Sequence, residues 1–172
     1  VQWDTIDTVL LDMDGTLLDK YFDDYFWEEY VVEKYAKQNN FTFDEAKEKL
    51  LARYKAVENT LAWTDLGYWS NELQLNMPKL KEETAHLINI LPSSLDFLSF
   101  LKRQNKQIYL VTNAPPYSLS LKMQKTGIRS YFDTIVCSAE IGKAKEQPAF
   151  WTELQKKLQF NPENSILFDH TE

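Results

Sequence analysis

Two aspartates one residue apart, Asp12 and Asp14, close the short apolar run of Val9, Leu10 and Leu11, and Gly15 and Thr16 follow at once. Two carboxylates that close repel each other in a poorly solvated crevice unless a cation or a shared proton relieves them. That arrangement points to chemistry rather than to a folding device. Three further apolar runs end in polar groups. Residues 108–111 lead into Thr112 and Asn113. Thr134–Cys137 leads into Ser138, with Lys145 in the loop beyond, and Ser165–Phe168 leads into Asp169 and His170. Three carboxylates and a lysine gathered at one place suit a hard divalent cation and a phosphate. Mg2+ takes oxygen ligands from one or two carboxylates plus substrate phosphate. A hydroxyl and backbone amides at a strand-to-helix turn hold phosphate oxygens, and lysine adds a point charge. A carboxylate attacking a phosphate dianion meets a repulsion of about 4 kcal/mol per charge pair at ~4 Å and an effective dielectric of ~20. A nucleophilic aspartate therefore belongs among cations. A second carboxylate two residues on can give a proton to the leaving-group oxygen and then accept one from water.

These groups meet only if the apolar runs are neighbouring strands. A continuous apolar run suits a strand buried on both faces, as in a parallel sheet covered by helices. Such strands deliver their last residues to the carboxyl edge, where open α/β folds bind ligands. A hairpin at Asp14-Gly15 would leave both arms apolar on both faces with no third strand to cover them. An EF-hand loop needs a third oxygen-bearing residue before its glycine.

In chain order, residues 18–91 read as helical throughout. Tyr21, Phe22, Tyr25, Phe26, Tyr30 and Val31 recur at helical spacing, and Asn39-Asn40 breaks that helix. Thr42 and Glu45 form a capping box that opens a second helix running to about Glu58. A shorter helix carries Tyr68, Trp69 and Leu73, and another spans residues 79–90. From Leu91-Pro92 the rhythm changes. Ser94 is expected to cap a helix, and strand, helix, strand, helix, strand then alternate, with Gly127 and Pro148 as helix stop and start. This alternation predicts a parallel sheet with right-handed crossovers. The expected fold class is α/β, with a core from residues 1–17 and 92–172 and an inserted all-helical block, 18–91, set as a lid over the carboxyl edge.

The 172 residues can hold one sizeable core with an inserted subdomain. A net charge of −7 argues against nucleic-acid or anionic-membrane partners, which want a basic face. No apolar stretch approaches the roughly 20 residues of a membrane span. The single cysteine, Cys137, reads as a buried small hydrophobe and fits a reducing, cytoplasmic setting. The chain opens at Val1 without methionine and closes at Glu172 just after an apolar run, which reads as part of a longer protein.

The stretch D-M-D-G-T-L after a buried strand resembles the first motif of the haloacid dehalogenase superfamily of phosphohydrolases. Thr112-Asn113 resembles its second motif, Lys145 its third and Asp169 its fourth, in the right order and spacing over the whole chain. The resemblance implies a Rossmann-like parallel sheet flanked by helices, with a helical cap between motifs one and two. It makes Asp12 the nucleophile that forms an aspartyl-phosphate, and Asp14 the general acid and base, with its backbone carbonyl on Mg2+. It makes Thr112, Asn113 and Lys145 a phosphate clamp, and sets Asp12, Asp14 and Asp169 at the metal. Further similarity across F-W-E-E-Y, Trp63, Tyr68-Trp69-Ser70 and L-V-T-N-A is to the bacterial purine 5′-nucleotidases of that superfamily, which act on GMP and IMP. It implies a small phosphorylated metabolite as partner, a purine nucleotide first, with Trp63 or Trp69 of the cap stacking on the base. A sugar-phosphate phosphatase or phosphomutase, and a non-catalytic phosphate-binding module, are the alternatives. Where the family usually carries a second acid after Asp169, this chain has His170. Imidazole suits Mn2+ better than Mg2+, so either Asp169 or Glu172 serves as the ligand, or the metal preference shifts, or activity is impaired.

Overall fold

The computed structural model describes residues 1–170; Glu172, one of the metal ligands considered above, lies outside the described residues. Four parallel strands form the sheet: β1 (Thr8–Leu11), β2 (Gln107–Thr112), β3 (Thr134–Cys137) and β4 (Ser165–Phe168). Their order is β3-β2-β1-β4, which puts β1 between two neighbours. Every residue of β1 is buried. Its side chains alternate between the two faces of the sheet. Val9 and Leu11 pack with Leu98, Leu101 and Met123, whereas Leu10 packs with Val111, Val136, Phe150 and Leu154. An all-apolar run is thus what two covered faces require. Leu11 lies opposite both Leu110 and Phe168, so the residues just beyond each strand emerge at one edge. That register is what brings Asp12, Thr112 and Asp169 together. Cys137 is buried at the end of β3, and burial pushes its thiol above the ordinary value.

Between β1 and β2 lie helices α1 (Tyr21–Tyr25), α2 (Val31–Asn39), α3 (Phe43–Val57), α4 (Leu66–Leu73) and α5 (Met77–Glu83). They enclose an apolar cluster of their own, centred on Phe26, Val32, Leu50, Trp69, Leu73 and Met77. The Thr42–Glu45 capping box forms at α3, and Asn40 ends α2 in the left-handed region at φ 57°. A π turn, Phe26–Tyr30, joins α1 to α2 and carries Trp27. The rest of the chain adds α6 (Ser94–Arg103), α7 (Pro116–Thr126), α8 (Ser138–Ile141) and α9 (Pro148–Leu158).

Three local expectations need correction. The helix expected over residues 79–90 stops at Glu83, because the Thr84 hydroxyl turns back to donate to the carbonyls of Leu80 and Lys81. A hydroxyl bonded that way competes with helix continuation. Beyond it, Ile90 makes an antiparallel bridge to Leu18. Ser94 does not cap α6; Ser93 holds the cap position at φ 70°, and the buried Ser94 hydroxyl donates to the Leu17 carbonyl at 2.9 Å. This bond ties the turn after β1 to the start of α6. Finally, Ser138 opens a short helix instead of a loop. Among the described residues no helix is long and apolar enough to cross a membrane.

Candidate active site

Asp12 follows β1 directly and is 6 % exposed. Its Oδ1 accepts from the Lys145 ammonium at 3.0 Å, and its Oδ2 lies 2.8 Å from His170 Nδ1. Lys145 also sits 3.0 Å from Asp169 Oδ2 and donates to the Val111 carbonyl at 3.1 Å. One ammonium therefore bridges two carboxylates delivered by adjacent strands. Partial burial pushes the Asp169 carboxyl upward, but Lys145 overcomes this and holds it below the usual carboxylate range. Ligand atoms of Asp12, Asp169 and His170 all lie within 4.8 Å of one another, a set able to hold a metal ion.

The turn that follows Asp12 depends on Gly15. Its φ of +83° suits glycine, and a Cβ there would come within 3.1 Å of the His170 ring and 3.0 Å of the Lys20 side chain. Asp14 lies in this turn, and its carboxylate is held by a different lysine: Oδ1 accepts from Lys122 of α7 at 2.7 Å. Lys122 in turn donates to Asp23 Oδ2 at 2.6 Å, and Lys81 of α5 donates to Asp23 Oδ1 at 2.9 Å. Burial raises Asp14 above the ordinary carboxylate value despite its lysine. Burial would raise Asp23 too, yet Lys122 and Lys81 together hold it far below the usual range. Lys122 is raised despite its burial, because Asp23 and Asp14 flank it, whereas burial lowers Lys81, which has Asp23 alone as a hydrogen-bonded carboxylate.

Thr112 is buried and its hydroxyl accepts from the Ala114 amide at 3.0 Å. The Asn113 side chain is spent on the loop that carries Lys145: Oδ1 accepts from the Lys145 amide at 2.9 Å and Nδ2 donates to the Glu146 carboxylate at 3.0 Å. Asn113 thus braces Lys145, and its own carbonyl accepts from Thr64 of the helical block at 3.2 Å. Trp151 adds a second brace, donating to the Lys145 carbonyl at 2.9 Å.

The carboxylates and lysines of both clusters, with His170, Thr112 and Asn113, border a cavity of about 1000 Å3. The helical block contributes Trp27, Tyr54 and Trp63 to its lining. Trp69 does not line it. That indole is 1 % exposed, edge-on to Tyr54 at 5.1 Å, and donates to the Trp63 carbonyl at 2.8 Å. Of the two tryptophans singled out in the sequence, Trp63 faces the cavity and Trp69 supports it from behind. Ser138 is buried away from the cavity. The sequence reading missed Lys122, Asp23, Lys81 and Trp27. The first three sit in helical stretches where charged residues ordinarily face solvent, so only their apolar neighbours hinted at burial.

A family profile for haloacid dehalogenase-like hydrolases matches residues 6–172. The chain is 36 % identical over 172 residues to the GMP/IMP nucleotidase YrfG of Escherichia coli, covering 100 % of this chain and 78 % of that protein. Among solved structures, a HAD phosphatase from Thermococcus onnurineus superposes with a TM-score of 0.79 at 24 % identity, covering 94 % of this chain and 76 % of that one. YfnB of Bacillus subtilis, bound to magnesium, superposes at 0.61 with 19 % identity, covering 94 % of this chain and 77 % of that one. The two superpositions speak for the fold.

Proposed function

The chain belongs to the haloacid dehalogenase-like hydrolases, and on that premise we propose that it is a Mg2+-dependent phosphomonoesterase acting on purine nucleoside 5′-monophosphates such as GMP and IMP. The observation that carries the reading is the meeting of Asp12, Lys145, Asp169 and His170 within hydrogen-bond reach beside an aromatic-lined cavity. Full-length similarity to a GMP/IMP nucleotidase supports the choice of substrate.

Asp12, Asp169 and His170 would hold the cation, and the donor set fits one. Its two carboxylates suit Mg2+, and the imidazole makes Mn2+ the alternative. Asp14 would join through its backbone carbonyl, leaving its carboxyl, with Oδ1 bound to Lys122, for proton transfer. The cation when bound neutralises charge on the phosphoryl oxygens. The protein's own groups do the rest. An Asp12 carboxylate oxygen attacks phosphorus, and the bond from phosphorus to the leaving oxygen breaks. Asp14 gives its proton to that oxygen as the alcohol departs. Asp14, now a carboxylate, takes a proton from a water that attacks the phosphorus of the aspartyl-phosphate. The bond from phosphorus to Asp12 then breaks, releasing phosphate and restoring Asp12. Lys145 offsets charge throughout, and the Thr112 hydroxyl and turn amides hold phosphoryl oxygens. Residues 18–91 serve as a cap over the core formed by 1–17 and 92–172. Trp63, with Trp27, offers the base a stacking face, a contact worth about 1–3 kcal/mol.

A panel of phosphorylated metabolites tests this reading. GMP and IMP are expected to give the highest kcat/KM. A preference for sugar phosphates or pyrimidine nucleotides would overturn the substrate, and absence of turnover with every ester would overturn the reaction.

A further inference from the structure

The chain of charges that begins at Asp14 is longer than an acid and base needs. Lys122 is 1 % exposed and Lys81 is 2 % exposed, the two most buried cations among the described residues. Ammonium groups are held out of water only where partners offset the desolvation. The partners are Asp14 from the turn after β1 and Asp23 from α1, alternating in sign: Asp14, Lys122, Asp23, Lys81. Aromatic faces complete the cage. Lys81 lies 4.3 Å from the centre of the Phe26 ring and 4.7 Å from that of Phe22, and Lys122 lies 5.5 Å from the centre of Phe22. Two residues come from the sheet-bearing part and two from the helical block. All four border the cavity.

We propose that Lys122 is a positioning residue that fixes the Asp14 carboxyl for protonation of the leaving group, and that Asp23 and Lys81 of the helical block hold Lys122 in that place. The proposal rests on Asp14 serving as the acid in the reaction described above. Geometry supplies the reason. With Oδ1 taken by Lys122 at 2.7 Å, the carboxyl cannot rotate freely, and Oδ2 is the oxygen that carries the transferable proton. As the bond from phosphorus to the ester oxygen breaks, that proton passes from Asp14 Oδ2 to the departing oxygen and Asp14 is left as a carboxylate. Asp23 Oδ2 accepts a second hydrogen bond from the same ammonium at 2.6 Å, and Lys81 fixes Asp23 from the other side. The orientation of the acid thus depends on residues the helical block supplies.

The test compares two esters that differ in their need for an acid. Departure of a ribose 5′-alkoxide from GMP requires a proton, whereas nitrophenolate leaves from p-nitrophenyl phosphate without one. The readout is kcat/KM, which ends when the leaving group departs and so excludes the later step in which Asp14 acts as base. In Lys122→Gln, kcat/KM for GMP is expected to fall by about 100-fold, the lower range of what a general acid contributes, and kcat/KM for p-nitrophenyl phosphate to fall far less. Lys122→Arg, which keeps the charge and the donor, should recover part of the GMP loss. Asp23→Asn should show the same selective loss at about tenfold, the worth of one charge-assisted hydrogen bond; should Lys122→Gln not fold, Asp23→Asn carries the comparison alone. Equal losses of kcat/KM on both esters, or no loss on GMP, would overturn the proposal. If the unmodified protein hydrolyses neither ester, it is the phosphatase reading that fails instead.

Discussion

At the scale of single residues, His170 is the departure with the clearest consequence. Its Nδ1 lies 2.8 Å from Asp12 Oδ2 and 3.4 Å from Asp169 Oδ1, so the imidazole occupies the site and not merely its margin. Mg2+ favours oxygen ligands, whereas imidazole suits the softer divalent metals. Replacing it by a carboxylate should move the preference. In His170→Asp, calorimetric titration with each metal is expected to show tighter Mg2+ binding and a smaller advantage for Mn2+. An unchanged ratio of the two affinities would show that the imidazole is not a ligand. The strand-end groups Asp12, Thr112 and Asp169 could be found in the sequence, because a buried strand has only one place to put its first polar residue, and Lys145 in the loop beyond β3 by its likeness to the third family motif. Lys122 and Asp23 could not. Each lies in a helix, where a charge is ordinarily solvated, and only the tertiary packing reveals that these are not.

Among the elements, the helical block divides its aromatics between support and contact. Trp69 is packed edge-on against Trp27, Tyr54 and Tyr68, at 6.2, 5.1 and 5.0 Å. Trp63 borders the cavity. The two should therefore fail differently. Trp69→Ala is expected to cost about 3–5 kcal/mol of stability, as for other buried large-to-small changes, read from urea unfolding. Trp63→Ala should leave stability nearly intact and raise KM for GMP by the worth of one stacking contact, about 1–3 kcal/mol. A KM effect in neither variant would remove the purine platform. The resemblance to the purine nucleotidases marked both tryptophans as candidates without separating them, since a local stretch of sequence does not show which side chain meets a cavity. The same limit explains the helix expected to run to residue 90. Its end at Glu83 is made by the Thr84 hydroxyl, a local bond that competes with the apolar pattern.

For the whole molecule, the buried charges make stability depend on pH in a definable direction. Asp23 is held far below the ordinary carboxylate value by Lys122 and Lys81, against the burial that would raise it. An unfolded aspartate protonates near about 3.9. Below that value the unfolded chain binds a proton that folded Asp23 refuses, so stability should fall as pH drops from about 4 toward the lower folded value. Asp14, raised by burial, acts with the opposite sign above about 4, where the folded chain retains the proton longer. Urea unfolding at stepped pH should show the acid-side slope in the natural chain and a reduced slope in Asp23→Asn; an unchanged slope would mean that Asp23 does not carry it. The α/β architecture was legible because four apolar runs with short helical connections admit few topologies. What remained hidden was how the helical block meets the strand-end residues, through contacts such as Thr64 to Asn113 and Asp23 to Lys122 across long sequence separations.

The central claim is that Asp12 becomes phosphorylated. The most direct measurement is acid-quenched mass mapping of the Asp14→Asn variant after mixing with p-nitrophenyl phosphate. That ester needs no acid to leave, and the variant lacks the base that clears the intermediate. The expected result is a phosphoryl group on the peptide bearing Asp12, absent when Asp12 is also changed to Asn. Nitrophenol released with no covalent phosphate on the protein, or with phosphate on another residue, would contradict it.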